Sequence, residues 1–306
     1  MMKAISKIIF LDEEGEKFFG EGPARLLQEI QRTGSLRAAA ISMGMAYTKA
    51  LKLLKHAEKT LGYALTTRSV GGKDGGGSLL TPEGREWLER YEAYRDACII
   101  SNQQLYLEHF GNSGCVIMAS GLGKRFGGNK LMADFQGKPL ISNALSITEK
   151  LFSKRVVVTR HADVAKFCMD QKIEVVLHDQ PYRSDTIRLG LEALGSGIDS
   201  CLFLQSDQPL LRRKTILQLA LAASSAPDFI YQAAYGETVG APVLFPKWAF
   251  PELLDLPQGK GGGVLLKKYP EQVHTIQVQD PAELKDIDTP EDLAELLAIS
   301  TASLLP

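Results

Sequence analysis

The sequence predicts two domains of different class: a mostly helical domain over residues 1–110 and an α/β domain with a mostly parallel sheet over 114–306. Three observations carry this. The 306 residues exceed the ~150 that one domain ordinarily uses. Up to about residue 110 the apolar periodicity is helical, whereas from Cys115 short β-rich runs alternate with amphipathic stretches. Between the two patterns lies 109-HFGNSG-114, whose Gly, Asn and Ser interrupt both periodicities, so the boundary is expected near Gly111.

The composition, 44% hydrophobic and 23% charged with net charge −1, is that of a soluble globular protein and gives no global argument for a nucleic-acid partner. Cys98, Cys115, Cys168 and Cys201 form no C-x-x-C pair and no metal-ligand spacing, so reduced, packed thiols are expected. The run Ile8-Ile9-Phe10 before Asp12-Glu13-Glu14 is far below a signal-peptide core or the ~20 apolar residues of a membrane span. A cytoplasmic location without a membrane partner is expected.

In the first domain, 22-GPARLLQEIQRTGSLRAAAISMGMAYTKALKLLKHAEKTLG-62 holds three apolar-periodic runs broken at Thr33-Gly34 and Gly44. That spacing suits a helix-turn-helix in which Ser35 caps a short second helix and a third, from about Ala46 to 61, reads DNA. Eight basic residues from Arg32 to Lys73 stand against the single acid Glu58. About six phosphate contacts from such a face would make affinity fall about a thousandfold between ~50 and ~200 mM salt. Candidate double-stranded DNA contacts within residues 22–80 are Arg37, Tyr47, Thr48, Lys49, Lys52 and Lys55.

Next, 65-LTTRSVGGKDGGGSLLTPEG-84 reads as two short strands joined by a glycine-rich hairpin, then a helix opened by Thr81-Pro82. As a wing it would bring Arg68 and Lys73 to phosphates. A functionless loop is the alternative; a nucleotide cradle lacks the Gly-Lys-Ser/Thr helix start.

The stretches 34-GSLRAAAISMGMAYTKAL-51 and 71-GGKDGGGSLLTPEG-84 resemble the N-terminal winged helix-turn-helix of the molybdate-responsive transcription regulators, over roughly residues 5–108. The resemblance implies a DNA-binding homodimer with the helix from Pro82 to about Glu108 as dimerisation element. Trp87, Leu88, Tyr91 and Tyr94 would form its seam, or else pack on their own domain. That family's molybdate-binding β-domains have no counterpart after Gly111, so molybdate sensing of the usual kind is not expected.

In the second domain the expected strands are 115-CVIMA-119, 155-RVVVT-159, 174-EVVL-177, 200-SCLFLQ-205 and 229-FIYQ-232, with helices over 184–194 and 213–223. The alternation implies βαβ units and helices on both faces of the sheet. The loop 118-MASGLGKRFGGNK-130 leaves the first strand and precedes a helical run from about Pro139, placing it where open α/β sheets bind ligands. Gly121, Gly123, Gly127 and Gly128 would turn N–H groups toward a phosphate chain, with Arg125 and Lys130 as cations. It matches neither the Walker loop nor the dinucleotide G-x-G-x-x-G.

The strand 202-LFLQSDQPLL-211 ends in Asp207, which could hold Mg²⁺ on a triphosphate or serve only as a turn residue. In 286-DIDTPEDLAEL-296, capping by Thr289 with Pro290 and Asp292 explains the helix start and leaves Asp286 and Asp288 over. Asp288 is the second candidate metal ligand. His161 and His178 have no metal-spaced partner and read as surface or core residues.

Together 118-MASGLGKRFGGNK-130, 207-DQP-209, 240-GAPVLF-245 and 286-DIDTPEDL-293 resemble the molybdenum cofactor nucleotidyltransferases, most closely the cytidylyltransferase branch, from Cys115 to Ala298. This implies a Rossmann-like nucleotidyltransferase fold. It also implies transfer of a nucleotidyl group from CTP or GTP to the phosphate of a molybdopterin-type cofactor, releasing pyrophosphate. Carried over are Ala119, Ser120, Gly121, Gly123, Arg125 and Lys130 as nucleotide contacts, the last two with Asp207 as catalytic groups, and Asp207 and Asp288 as Mg²⁺ ligands.

The helix N-terminus at 183-RSDTIRLGL-191, with Ser184 as cap and Arg183 and Arg188 nearby, and Lys260 in 258-QGKGGGVLLKK-268 would meet the anionic acceptor. Guanylyl-transferring relatives usually have Gly, and cytidylyl-transferring ones Ala, where Ser120 stands; Ser120 keeps a Cβ, which favours CTP. A molybdoenzyme or its maturation factor would receive the product. The competing readings are a regulator whose second domain only senses nucleotide or cofactor, a GTP-using guanylyltransferase, and a sugar-phosphate nucleotidyltransferase.

Overall fold

The computed structural model describes residues 4–69 and 77–302. They form two compact units, Ala4–Asn102 and the chain from Gln103 onward.

In the first unit, β1 (Ile9–Leu11) and β2 (Lys17–Gly20) pair antiparallel. They precede α1 (Glu21–Thr33), α2 (Leu36–Ser42) and α3 (Tyr47–Leu61). Ser35 caps α2 as expected, its hydroxyl accepting the Ala38 N–H at 3.4 Å. Ala50, Leu54 and Ala57 are the buried side of α3. They pack with Leu26, Leu27 and Ile30 of α1 and Ala39 and Ala40 of α2. Glu58, the one acid in the basic stretch, is not spare charge: its carboxylate accepts the N–H groups of Leu65 at 2.9 Å and Thr66 at 3.1 Å.

The hairpin β3 (Thr66–Ser69) with β4 (Gly77–Leu80) follows, and the Ser78 N–H binds the Gly34 carbonyl at 2.7 Å, tying this wing to the turn between α1 and α2. Then comes α4 (Pro82–Phe110). Trp87, Leu88 and Tyr91 of α4 lie in this unit's own core, with Trp87 and Tyr91 edge-on to Phe19. Of the expected dimer seam only Tyr94 is largely exposed, and it stacks on Phe10.

The expected linker is shorter than the composition implied: α4 runs through His109 and Phe110, and β5 (Ser113–Ala119) begins two residues after Gly111. The last turns of α4 belong to the second unit because Leu107 is buried in that unit's core.

The second unit continues with the hairpin β6 (Asp134–Phe135) and β7 (Lys138–Pro139), then α5 (Ser142–Ile147), β8 (Lys154–Thr159), α6 (Ala162–Asp170) and β9 (Glu174–Leu177). After these come α7 (Arg183–Leu194), β10 (Ser200–Gln205), α8 (Arg213–Ser225), β11 (Ile230–Tyr235), β12 (Thr238–Pro246), α9 (Phe250–Leu254), α10 (Gly263–Lys268), β13 (Val273–Gln277) and α11 (Pro290–Ala302). Seven strands form one sheet in the order β13-β11-β12-β10-β5-β8-β9. All neighbours are parallel except β12, which runs antiparallel to β10 and β11. This is the expected α/β class with a mostly parallel sheet.

Period-2 alternation divides the sheet's side chains between two cores. Cys115, Ile117, Leu202 and Leu204 join one cluster; Val116, Val156, Val158, Cys201 and Phe203 join the other. Gly190 lets α7 lie directly on β5, since a Cβ there would stand 2.5 Å from Val116 Cγ1. The helix expected from Pro139 begins instead at Ser142. Pro139 is itself the last residue of β7, paired with Asp134 in a tight hairpin that turns at Gln136-Gly137, and a 3-10 turn over Lys130–Met132 precedes that hairpin.

Candidate functional site

Residues Ser120–Lys130 leave the carboxyl end of β5, an interior strand between β10 and β8. Gly123 has a backbone no other residue would hold easily: φ is +58° and a Cβ would meet the Gly128 carbonyl oxygen at 2.2 Å. The Gly123 carbonyl accepts the N–H groups of Phe126 at 2.9 Å and Gly127 at 3.1 Å, which folds the loop back on itself.

Motifs distant in sequence meet beneath this loop. Ser206 Oγ donates to the Met118 carbonyl at 2.8 Å, joining the ends of β10 and β5. Buried Gln208 donates to the carbonyls of Ala241 and Leu284, both at 3.3 Å. The Ile287 N–H reaches the Asp207 carbonyl at 2.9 Å. The segments 207-DQP-209, 240-GAPVLF-245 and 286-DIDTPEDL-293 therefore share one floor. The helix start at Thr289 is a capping box: the Asp292 carboxylate accepts the Thr289 N–H at 2.8 Å, and Thr289 Oγ1 accepts the Asp292 N–H at 3.1 Å.

On that floor the structure brings Arg125, Lys130, Asp207 and Asp288 together. Lys130, 7% exposed, places Nζ 2.8 Å from Asp207 Oδ2 and 3.0 Å from Asp288 Oδ1, and also bonds the Ile287 carbonyl. Arg125 Nη2 stands 2.7 Å from Asp288 Oδ2. Burial would depress the Lys130 ammonium, but Asp207 and Asp288 outweigh it and hold the group above its usual range. Asp286 feels the opposite balance: burial first, then the charge of Asp207, push it up to about 6.

Asp207 Oδ1 is buried without a hydrogen-bond partner. An orphaned carboxylate oxygen beside a second carboxylate fits Mg²⁺, which takes one or two carboxylates and completes its shell from substrate phosphates and water. Among the described residues no three His, Cys, Asp or Glu side chains form a metal cage.

Two cavities open over this end of the sheet. One of about 350 Å³ is lined by Met118, Ser120, Gly121, Leu122, Arg160 and Asp207, with residues at the start of α7. The other, of about 650 Å³, has an apolar floor including Phe203, Val243 and Phe245, with Lys260 and Lys267 at its glycine-rich side. Met118, Arg183 and Gln205 line both, so the cavities adjoin. Arg160, Arg183 and Lys260 have no ion-pair or side-chain hydrogen-bond partner among the described residues, and unpaired cations in a cavity wall favour an anionic ligand.

The start of α7 departs from the expected cap. Ser184 is not the cap: the N-cap is Tyr182, whose N–H binds the Asp185 carboxylate at 3.0 Å, and Ser184 is buried in the first turn. The Asp185 carboxylate reaches back to the helix start from three residues in and leaves the serine inside. Arg188 is engaged by Gln180 at 2.6 Å and Glu192 at 3.3 Å. Arg160 was missed, having no motif around it. Both histidines touch the loop: His161 Nε2 lies 2.8 Å from the Gly121 carbonyl and His178 Nε2 2.8 Å from Ser120 Oγ.

In the first unit Tyr47, Thr48, Lys49, Lys52 and Lys55 are exposed on α3, as is Arg37 on α2. The backbone of Arg68 is in β3; Lys73 and the side chain of Arg68 lie outside the described residues. Among the described residues no helix is long and apolar enough to cross a membrane.

Fold and site define a nucleotidyltransferase domain joined to an N-terminal helix-turn-helix. The chain belongs to the MobA-like NTP transferase domain family, which matches residues 115–273. Residues 24–85 match the bacterial regulatory helix-turn-helix protein, lysR family. The molybdenum-pterin-binding protein MopB of Rhodobacter capsulatus is 36% identical over 85 residues, 28% of this chain and 31% of that one. The 3-deoxy-manno-octulosonate cytidylyltransferase of Alkalilimnicola ehrlichii is 32% identical over 117 residues, 37% of this chain and 45% of that one. The molybdenum cofactor guanylyltransferase of Rhodobacter capsulatus is 30% identical over 114 residues, 35% of this chain and 57% of that one. The chain thus spans about a third to somewhat over half the length of these relatives. The structure of Rv0371c from Mycobacterium tuberculosis shares the fold, with TM-score 0.55 and 22% identity over 61% of this chain and 97% of that one.

Proposed function

We propose that the second unit transfers a cytidylyl group from CTP to the phosphate of a molybdopterin-type cofactor, releasing pyrophosphate, and that the first unit binds double-stranded DNA. The observation that carries the enzymatic reading is the convergence of Arg125, Lys130, Asp207 and Asp288 beside two adjoining cavities lined by unpaired cations. The smaller cavity suits the nucleotide. The larger, with its apolar floor and Arg183 and Lys260, suits a flat heterocycle carrying a phosphate.

Asp207 and Asp288 would hold Mg²⁺, which when bound supplies positive charge to the phosphate chain. The acceptor phosphate oxygen bonds to the α-phosphorus as the bond to pyrophosphate breaks. Arg125 and Lys130 stabilise the departing charge, and Arg183 orients both substrates across the shared wall. An ionised phosphate nucleophile needs no general base.

The guanylyltransferase relative supports a molybdenum cofactor acceptor and makes GTP the second reading. The cytidylyltransferase relative and the Cβ of Ser120 support CTP. The exposed basic face of α3 supports DNA, and a homodimer through exposed positions of α4 such as Tyr94 and Ile100 suits a two-half-site operator.

The test is incubation with molybdopterin cofactor, Mg²⁺ and either CTP or GTP, following pyrophosphate and the dinucleotide product. Turnover with CTP above GTP, abolished in Asp207→Ala, is expected. No turnover with either nucleotide would replace this reading by a nucleotide-sensing regulator.

A further inference from the structure

A hydrogen-bond chain with every proton assigned holds the first residue of the loop. The Gln180 N–H donates to His178 Nδ1 at 3.2 Å. A backbone amide can only donate, so Nδ1 is bare and Nε2 carries the ring proton. Ser120 Oγ donates its one proton to the Val158 carbonyl at 3.0 Å, so in its 2.8 Å contact with His178 Nε2 the hydroxyl accepts. The chain links β8, the segment after β9 and the loop after β5. Both ends are fixed by backbone groups, and the Ser120 proton is not available to a ligand.

We propose that His178 is a positioning residue for nucleotide selection: as its neutral Nε2–H tautomer it locks Ser120 and so shapes the Met118–Leu122 wall that meets the base. The proposal rests on the reading of the smaller cavity as the nucleotide site.

The groups facing His178 are Arg160 beyond β8, Asp179 on its own segment, and Asp185 and Arg188 of α7. Burial first, then the charge of Arg160, hold the imidazole below its ordinary value against Asp185 and Asp179. A second proton would sit on Nδ1, facing the Gln180 N–H, so two donors would oppose each other and the chain would open. The lock is therefore complete above the ordinary imidazole range and is lost as pH falls through the lowered His178 value. His161 donates from Nε2 to the Gly121 carbonyl, an acceptor only.

The experiment titrates the full chain with CTP and with GTP in excess Mg²⁺ from about pH 8 to about pH 5.5. Wild type, His178→Ala, His178→Gln and Ser120→Ala are compared at each pH so that the nucleotide's own titration cancels. Thermal unfolding checks that each variant is folded. His178→Ala should bind CTP about tenfold more weakly at the high-pH end, the gap closing toward acid as wild type loses its lock. Ser120→Ala, which keeps the Cβ but gives His178 nothing to hold, should lose the pH dependence that His178 imposes. His178→Gln, which keeps a donor and cannot titrate, should retain most of the affinity and show a shallower acid fall than wild type, the remainder being what Asp286 and the nucleotide contribute to every variant. The CTP-to-GTP affinity ratio should drop in His178→Ala.

Wild-type-like CTP binding by His178→Ala at every pH would overturn the proposal, as would an acid fall in His178→Gln or Ser120→Ala as steep as that of wild type. Ser120→Ala keeps the inference testable should His178→Ala not fold. A wild-type chain that binds neither nucleotide would instead remove the reading of the cavity itself.

Discussion

Lys130 Nζ stands 2.8 Å from Asp207 Oδ2, an ion pair with side chains only 8% and 17% exposed. Removing one partner of a buried pair leaves the other charge uncompensated and costs about 3–5 kcal/mol. Lys130→Ala is expected to lose stability of that order in urea unfolding and to lose turnover. A stability change within ~0.5 kcal/mol would mean that solvent already screens the pair.

The same pairs predict coupling between ligands. With Arg125 and Lys130 engaged by carboxylates, a triphosphate must draw cations away from Asp207 and Asp288, and a divalent cation compensates the carboxylates it frees. Calorimetric titration should show CTP binding at least about tenfold tighter with Mg²⁺, and Mg²⁺ tighter with CTP by the same factor. Equal CTP affinity in chelator and in Mg²⁺ would contradict the assignment of both carboxylates.

Gly123→Ala should abolish nucleotide binding with the fold intact, because a Cβ at φ +58° would meet the Gly128 carbonyl at 2.2 Å while the loop lies outside the sheet. Circular dichroism and nucleotide titration together check this. An alanine variant that binds CTP normally would show that the loop has another conformation.

Arg183 lines both cavities and Lys260 only the larger. Arg183→Ala is expected to raise KM for nucleotide and for acceptor, whereas Lys260→Ala raises it for the acceptor alone. Steady-state kinetics with each substrate varied in turn separate them; equal effects of the two variants on both substrates would merge the cavities into one site.

For the first unit, replacing Lys49 and Lys52 by Ala should weaken DNA binding across sequences. The slope of log affinity against log salt should also become shallower by about 0.9 for each phosphate that is no longer neutralised. Mobility shifts at a series of salt concentrations measure it, and an unchanged slope would remove α3 from the interface.

Much of this molecule was legible as sequence. The short β-rich apolar run of β5, the Ser35 cap and the Thr289 capping box are determined by residues within a few positions of one another, so the class of each unit follows from local pattern. Motif order along the second unit was likewise readable. The antiparallel insertion of β12 was not, because strand direction depends on which neighbour a strand finds.

The sequence by itself determined that a helix-turn-helix precedes an α/β nucleotidyltransferase domain, and nominated Arg125, Lys130, Asp207 and Asp288. Tertiary structure alone decided that these four meet: Lys130 and Asp288 are 158 residues apart, and closing such a separation is the work of sheet order and packing. It also gave the end of α4 to the second unit, moved the α7 cap from Ser184 to Tyr182, and set His178 on Ser120 across 58 residues. Such pairings leave no local trace because their free energy comes from burial and long-range hydrogen bonds, not from the preferences of adjacent residues.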